Sequence, residues 1–209
     1  MVLDRRKFCS FPVAVGVASV LQAQTAWAEN PSDGANSFME SRAADLVAGG
    51  LARLPVRPFP DAGSLDYTSE SLRRIDDYLV KFREPLPKDE KGHLALRSLP
   101  FRNEESLSLF VYMIGGYTGE VMRRTWKRKL TWITFADLLR ADTRHKGWLG
   151  DRPSIETAYI LTNCNHGFVS LPLNKVIKFL VNGSEDSLHS FALAGGGRQI
   201  GEDCPVPGK

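Results

Sequence analysis

The chain has 209 residues with 27 basic and 24 acidic side chains, and 43% of its residues are apolar. This composition is typical of one globular domain and excludes collagen-like, low-complexity and wholly disordered chains. The net charge of +3 is too small to indicate a nucleic-acid binder. No run of about 18 uncharged apolar residues occurs, so the sequence predicts no membrane span.

Residues 1–28 predict an export signal. Two adjacent arginines, Arg5 and Arg6, precede an apolar stretch at 11–21, and Ala26-Trp27-Ala28 offers small residues for cleavage. The order R-R-x-F resembles the bacterial twin-arginine signal, although Cys9 stands where an apolar residue such as Leu is usual. An ordinary secretory signal and an amphipathic N-terminal helix are the alternatives. The twin-arginine resemblance implies a periplasmic protein that crosses the inner membrane already folded.

The signal accounts for most of the net charge. Cleavage after Ala28 removes Asp4, Arg5, Arg6 and Lys7, so that 181 residues remain with 24 basic and 23 acidic side chains. The mature chain is therefore nearly neutral, and we expect no nucleic-acid partner outside the cytoplasm.

The composition of the remaining chain changes along its length and predicts three segments. Residues 29–63 are predicted to be a linker or peripheral segment, because Pro55, Pro58 and Pro60 exclude helix and central strand. A helix over 37–54 is possible there, but Gly49 and Gly50 weaken it. Residues 64–194 are predicted to be an α+β globular domain and 195–209 a flexible tail.

Two helices are predicted at the start of this domain. Thr68 is a suitable N-cap, and the spacing of Leu72, Ile75, Leu79 and Phe82 predicts an amphipathic helix. A second helix should run from about 103 to 127, capped by Asn103 and buried over its uncharged stretch 106–118. Gly115 and Gly119 lie one turn apart on it, and we expect another backbone to approach that face closely.

Strands follow the second helix. Residues 130–135, 155–161 and 168–171 are predicted strands, and 163–167 a hairpin loop between the last two. Asn174 is the predicted cap of a helix that ends at Asn182-Gly183, and 184–194 predicts one more short helix. The expected fold is a single α+β domain with two N-terminal helices, a small antiparallel sheet and C-terminal helices packed on one face.

Glu120 is the most suggestive acidic residue, since it ends a glycine-rich stretch that we expect to be buried. Such a carboxylate could act as a base, with Tyr117 and His166 as weaker catalytic candidates. The competing interpretation is an ion pair with Arg123 or Arg124, three and four residues further along the helix.

Basic residues cluster at the end of this helix. Arg123, Arg124, Lys127 and Arg128 form a candidate binding surface for an anionic partner, together with Lys129. A solvated helix C-terminus, where cations are favoured, is the alternative.

The cysteine count suggests one disulfide. Cys164 and Cys204 remain after signal removal and could pair in an oxidising compartment. Cys164 and His166 could instead begin a metal site or a thiol–imidazole pair, but the four histidines show no ligand spacing. We therefore predict no metal and no cofactor.

Catalytic signatures are absent from the sequence. It contains no G-x-S-x-G, S-x-x-K, P-loop or dinucleotide-binding motif. Whether the chain is an enzyme is uncertain on this basis, and a non-enzymatic role is favoured.

Three motifs resemble a group of uncharacterised bacterial domains over residues 65–193. They are D-x-[ST]-x-x-S-L at Asp66 to Leu72, G-x-Y-x-G-E at Gly115 to Glu120, and P-x-x-K-V-x-x-x-L-x-N-G at Pro172 to Gly183. The resemblance implies an α+β fold and transfers no catalytic residue.

Together these patterns predict an exported, non-enzymatic protein-binding module. A partner with an acidic surface, as for an immunity-like protein, fits the basic cluster. The alternative is a periplasmic hydrolase or ligand-processing enzyme that uses Glu120.

Overall fold

The computed structural model describes residues 31–126, 130–164 and 166–196. These ranges contain seven α-helices and one three-stranded antiparallel sheet, which confirms the predicted α+β class. None of the helices in the described ranges has the length and apolar character needed to cross a membrane. The predicted signal and most of the predicted tail lie outside these residues.

Residues 48–68 and 84–103 form the two longest connections, and they contain only short 3-10 turns. The helices are α1 (Pro31–Val47), α2 (Ser69–Arg83), α3 (Glu104–Thr125), α4 (Phe135–Ala141), α5 (Lys146–Leu149), α6 (Pro172–Asn182) and α7 (Leu188–Gly196). The strands are β1 (Leu130–Thr134), β2 (Tyr159–Asn163) and β3 (Val169–Ser170), and they lie in the order β1-β2-β3.

Helix α2 forms as the sequence predicts. The Thr68 side chain accepts a hydrogen bond from the backbone N–H of Ser71, which satisfies one of the unpaired donors of the first turn. The predicted apolar stripe faces the core, with Leu72 and Leu79 completely buried. Asn103 caps α3 in the same way by accepting from the N–H of Ser106.

Helix α3 is the centre of the domain, and its glycines permit close contacts with three other elements. A Cβ atom on Gly115 would lie 3.2 Å from the Cα of Leu173 in α6, so another backbone approaches here as predicted. On Gly119 a Cβ would lie 2.0 Å from the Trp132 ring of β1, so a side chain fills that space. Gly116 receives the backbone of α1, where Met39 O would be 2.9 Å from a Cβ.

Helix α1 corrects the prediction of a linker or peripheral segment at 29–63. Met39, Ala43 and Leu46 are at most 1% exposed and belong to the main core. Their spacing of four and three residues is helical, and the small residue Ala43 permits close packing against α3. The second half of the segment, from Gly50 onward, has only short 3-10 turns at Gly50–Arg53 and Ala62–Ser64.

The sheet is covered on both faces. Trp132 pairs with Leu161, and these side chains pack into the main core with α1, α3 and α6. Ile133 pairs with Ile160 on the opposite face, where Leu138 of α4 and Leu149 of α5 form a second, smaller cluster. The alternation follows from the two-residue period of a strand.

The starts of β2 and α6 differ from the sequence prediction, and the predicted helix at 184–194 is a 3-10 turn at Ser184–Asp186 followed by α7. Residues 155–157 form a turn rather than a strand, because Ser154 N–H donates 3.0 Å to the hydroxyl of Thr157. Helix α6 begins at Pro172 and not beyond a cap at Asn174, since proline suits the first helical position, where its missing N–H is not needed.

The end of α6 depends on a buried arginine. Its predicted C-terminal glycine, Gly183, has φ 110°. Arg83 of α2 donates to the carbonyl oxygens of Leu180 and Val181, 2.9 Å in each case, so that carbonyls left unpaired at the helix end are satisfied. The pKa of Arg83 is lowered by burial, which the charge of Glu185 opposes.

Candidate functional site

A groove of about 650 Å³ opens between α2 and the segment 55–61. We call it the proline groove, because Pro55, Pro60, Pro85 and Pro100 line it. Its size lies within the range of ~300–1,000 Å³ that is typical of ligand sites.

The groove follows from two local sequence patterns. Pro55 and Pro60 lie on the first wall, and together with Pro58 between them in sequence they keep the segment out of helix and sheet. On the second wall, Arg74, Asp77, Tyr78 and Lys81 share one face of α2 through spacings of three and four residues.

Tyr78 joins the two walls. Its hydroxyl donates to the carbonyl oxygen of Arg57 at 2.7 Å, which fixes the proline wall against the helix. Its ring lies 5.2 Å from that of Phe59 and 6.3 Å from that of Phe82, so three aromatic rings form the floor. Burial raises the pKa of Tyr78, and the charge of Arg57 opposes this, so the phenol stays protonated at neutral pH.

The charges of the groove have no ionic partner in the described part of the chain. Arg57, Arg74 and Lys81 line it together with Asp61 and Asp77, and none of the five lies within 4.0 Å of an opposite charge there. Arg74 donates to the backbone oxygen of Ser64 at 3.0 Å. The groove therefore has one surplus positive charge.

Glu120 lies in a different, fully bonded environment. Its side chain is 7% exposed, and Oε1 accepts from Arg123 Nη1 at 2.8 Å and from Trp132 Nε1 at 3.0 Å. Arg123 also binds Glu40 at 2.6 Å and the carbonyl of Leu130 at 3.2 Å. We define the Glu120 cluster as the side chains of Glu40, Glu120, Arg123 and Trp132. It contains the Glu120–Arg123 ion pair that the helical spacing predicts.

Tyr117 takes part in a separate network. Its hydroxyl accepts from the N–H of Tyr67 at 2.7 Å and lies 2.6 Å from Ser71 Oγ. The Tyr67 ring is stacked 4.7 Å from the Tyr117 ring, with the Arg124 guanidinium 3.6 Å away on the ring of Tyr67. Burial raises the pKa of Tyr117, whereas its hydrogen bond with Ser71 lowers it.

His166 lies in the β2–β3 connection. Its backbone has φ 54°, and its carbonyl oxygen is 3.2 Å from His145 Nε2. Within the described ranges no hydrogen bond or ion pair links His166 with Glu120 or Tyr117. Glu120, Tyr117 and His166 thus belong to three separate sets of hydrogen bonds in the described residues.

Of the basic cluster, the structure describes Arg123 and Arg124. Arg123 is neutralised by Glu40 and Glu120, and exposed Arg124 lies over Tyr67. Lys127 and Arg128 are outside the described residues, so a binding role for them stays a prediction.

Cys164 is disulfide-bonded in the structure, and Cys204 lies outside the described residues. The specific pair Cys164–Cys204 stays a prediction. The described ranges contain no group of three or more side chains that could hold a metal ion.

Sequence reasoning missed the proline groove as a site. The signal was present: three prolines alternate with Arg57 and Phe59, and polar residues recur at helical spacing on α2. The two segments are separated along the chain, and their proximity depends on the Tyr78–Arg57 contact, which no local pattern contains.

Comparison with known proteins gave no match to a family model, to a curated protein or to a solved structure. The resemblance to uncharacterised bacterial domains stays a prediction, and any function has to be argued from the residues of this chain.

Proposed function

We propose that this chain is an exported protein-binding module whose partner has an acidic surface. The observation that supports this most directly is the proline groove, an open concave surface with an aromatic floor and unpaired rim charges. Its exposed arginines, Arg57 and Arg74, are of a residue type that contributes strongly to many protein interfaces.

The state of the catalytic candidates supports the same proposal. Glu120 is held by Arg123 and Trp132, and Tyr117 is held by Ser71 and Tyr67. The hydrolase alternative required Glu120 to face a cleft with Tyr117 and His166, and it loses that support.

Export is the second part of the proposal and has its own test. In a bacterium with a twin-arginine system, N-terminal sequencing of the periplasmic chain should find Glu29 first. Replacing both arginines, Arg5→Lys with Arg6→Lys, should leave the precursor in the cytoplasm. A chain that reaches the periplasm equally well with both lysines would contradict the twin-arginine route.

Binding is tested on the full chain, tagged and produced in its source cells. Size-exclusion chromatography with light scattering should show a complex with one additional protein in stoichiometric amount. Because charge contributes to the contact, the complex should weaken as salt is raised from 0.05 to 0.5 M. A chain that elutes only at its monomer mass would overturn the binding proposal.

A further inference from the structure

Arg124 is an exposed arginine whose position is fixed without an ion pair. Its guanidinium carbon lies 3.6 Å from the centre of the Tyr67 ring. Within the described residues, none of its N–H groups donates to a carbonyl or a carboxylate, although α3 ends at the next residue. A guanidinium stacked on a ring keeps its in-plane donors free, because the contact uses the face of the group and not its edge. Arg124 therefore presents a fork of N–H donors to solvent.

Tyr67 is itself held in place by contacts on the domain side. Its φ of 61° is unusual for a residue with a large side chain. Its N–H donates to the Tyr117 hydroxyl at 2.7 Å, and the two rings are stacked 4.7 Å apart. Backbone strain of this kind persists only where surrounding contacts enforce it, and it is frequent at ligand clamps. The contacts of Tyr67 thus limit the positions that the Arg124 guanidinium takes before a partner arrives.

The hydroxyl of Tyr67 supplies a second donor beside the guanidinium. It has no hydrogen-bond partner among the described residues and is not fully buried. Burial raises the pKa of Tyr67, the charge of Arg124 opposes this, and the charges of Glu120 and Glu40 add to it. The phenol is therefore protonated at neutral pH. Because the guanidinium lies on the ring that carries this hydroxyl, one ligand can reach both groups.

These donors select an anionic ligand with two oxygens. A guanidinium has donors and no acceptor, and its parallel N–H groups match the two oxygens of a carboxylate. The carboxylates of Glu40 and Glu120 are already engaged, since both bind Arg123. Together they balance the charges of Arg123 and Arg124, so binding here relies on directed hydrogen bonds and not on a general positive field.

We infer that Arg124, with the Tyr67 hydroxyl beside it, binds a carboxylate side chain of the partner protein. The guanidinium donates two parallel hydrogen bonds to the carboxylate oxygens, and the hydroxyl donates a third to one of them. Neither residue lines the proline groove, so this contact is additional to it. The inference rests on the proposed function, since it assigns residues and bonds to the contact with an acidic partner.

The probe is a peptide of alternating Glu and Gly that carries a neutral fluorophore, and the control peptide has Gln in place of every Glu. Fluorescence anisotropy measures the binding of each peptide to the full chain. We expect the Gln peptide to bind at least about tenfold more weakly, which corresponds to about 1.4 kcal/mol. Equal affinities of the two peptides would overturn the inference.

Two matched variants locate the contact. Arg124→Gln should weaken binding of the Glu peptide about tenfold, because both parallel hydrogen bonds are lost. Arg97→Gln removes the same charge from another exposed arginine and should change the affinity less than about twofold. Circular dichroism checks that both variants are folded. Equal effects of the two substitutions would mean that only net charge matters, and the site would be refuted.

Tyr67→Phe distinguishes a binding role from a structural one. The variant keeps the ring, its stacking and the backbone N–H that donates to Tyr117, and it loses only the hydroxyl. Binding of the Glu peptide should weaken about threefold, the size expected for one hydrogen bond, while the urea denaturation curve stays the same. An unchanged affinity would show that the hydroxyl takes no part and would contradict the site with two donor groups.

The cellular complex separates this inference from the proposed function. If the complex forms with Arg124→Gln as well as with the wild type, the chain binds its partner elsewhere and only the inference fails. If Arg124→Gln loses the complex and Arg97→Gln keeps it, both are supported. If the wild type forms no complex, the proposed function fails, whereas the peptide titrations still decide whether this site binds carboxylates.

Discussion

The Glu120 cluster and the proline groove are both polar regions beside aromatic rings, but they differ in how their charges are balanced. In the cluster, a 7% exposed carboxylate is bonded to an arginine and an indole. In the groove, five charged side chains have no ionic partner within the described residues. A buried charge must be paired to be tolerated, whereas exposed charges can remain available for an external partner. The paired charges of the cluster stabilise the fold, whereas the unpaired charges of the groove are available for the proposed recognition.

The largest effect is expected from Gly119→Ala, which disturbs the support of the Glu120 cluster. The added Cβ would lie 2.0 Å from the buried Trp132 ring, whose N–H binds Glu120. We expect a loss of about 2–3 kcal/mol in the free energy of unfolding, because overpacking outweighs the gain in helix propensity. Urea denaturation measures this. The control Gly34→Ala in α1, with no neighbour within 4 Å, should stabilise the protein slightly.

Glu120→Ala tests the cluster directly. The change leaves the Trp132 N–H without its acceptor and Arg123 with Glu40 as its remaining carboxylate, so we expect a loss of about 2 kcal/mol. Glu40→Ala, at a side chain that is 52% exposed, should cost less than about 1 kcal/mol. Denaturation curves for the two variants that coincide would contradict the assignment of Glu120 as the buried anchor.

Glu156 provides a contrast to the paired Glu120. Burial raises the pKa of Glu156 from its usual 4.5, and the charge of Lys178 opposes this. A carboxyl whose folded pKa is raised stabilises the fold below the unfolded pKa, and this contribution is lost as pH rises through the folded value. Glu156→Gln should therefore raise Tm slightly at pH 7 and leave it unchanged at pH 4. A gain of the same size at both pH values would show that the carboxyl charge is not the cause.

The smallest effect on stability is expected in the groove. Arg57→Glu with Lys81→Glu should change the free energy of unfolding by no more than about 0.5 kcal/mol, because both side chains are exposed and form no ion pair with described residues. A loss of 2 kcal/mol in urea denaturation would place these residues with the structural group and remove the contrast between the two regions.

The sequence was most informative where a local pattern determines structure. The caps Thr68 and Asn103, the stripe on α2 and the glycine end of α6 are all found as predicted, since each depends on neighbours within one or two turns. The proposed pairing of Glu120 with Arg123 is local in the same sense.

Features that depend on distant contacts were missed. The apolar residues of α1 occur among glycine and proline signals, and their burial depends on the Gly116 face of α3. One local signal was missed as well: Thr134 accepts from the N–H of Asp137 and caps α4, but neither α4 nor α5 was predicted. The proline groove joins two segments through a side chain-to-backbone bond, which sequence spacing does not reveal.

The glycines of α3 also have a consequence for the order of assembly. Gly116, Gly119 and Gly115 receive Met39, Trp132 and Leu173, which come from the beginning, middle and later part of the described chain. During synthesis, the central helix emerges before two of these three neighbours exist. A nascent fragment ending near residue 126 exposes bare helix surface and cannot complete the core. We therefore expect the core to be completed only after Leu173 has been synthesised, and the exposed apolar surface of the shorter chain to be prone to aggregation until then.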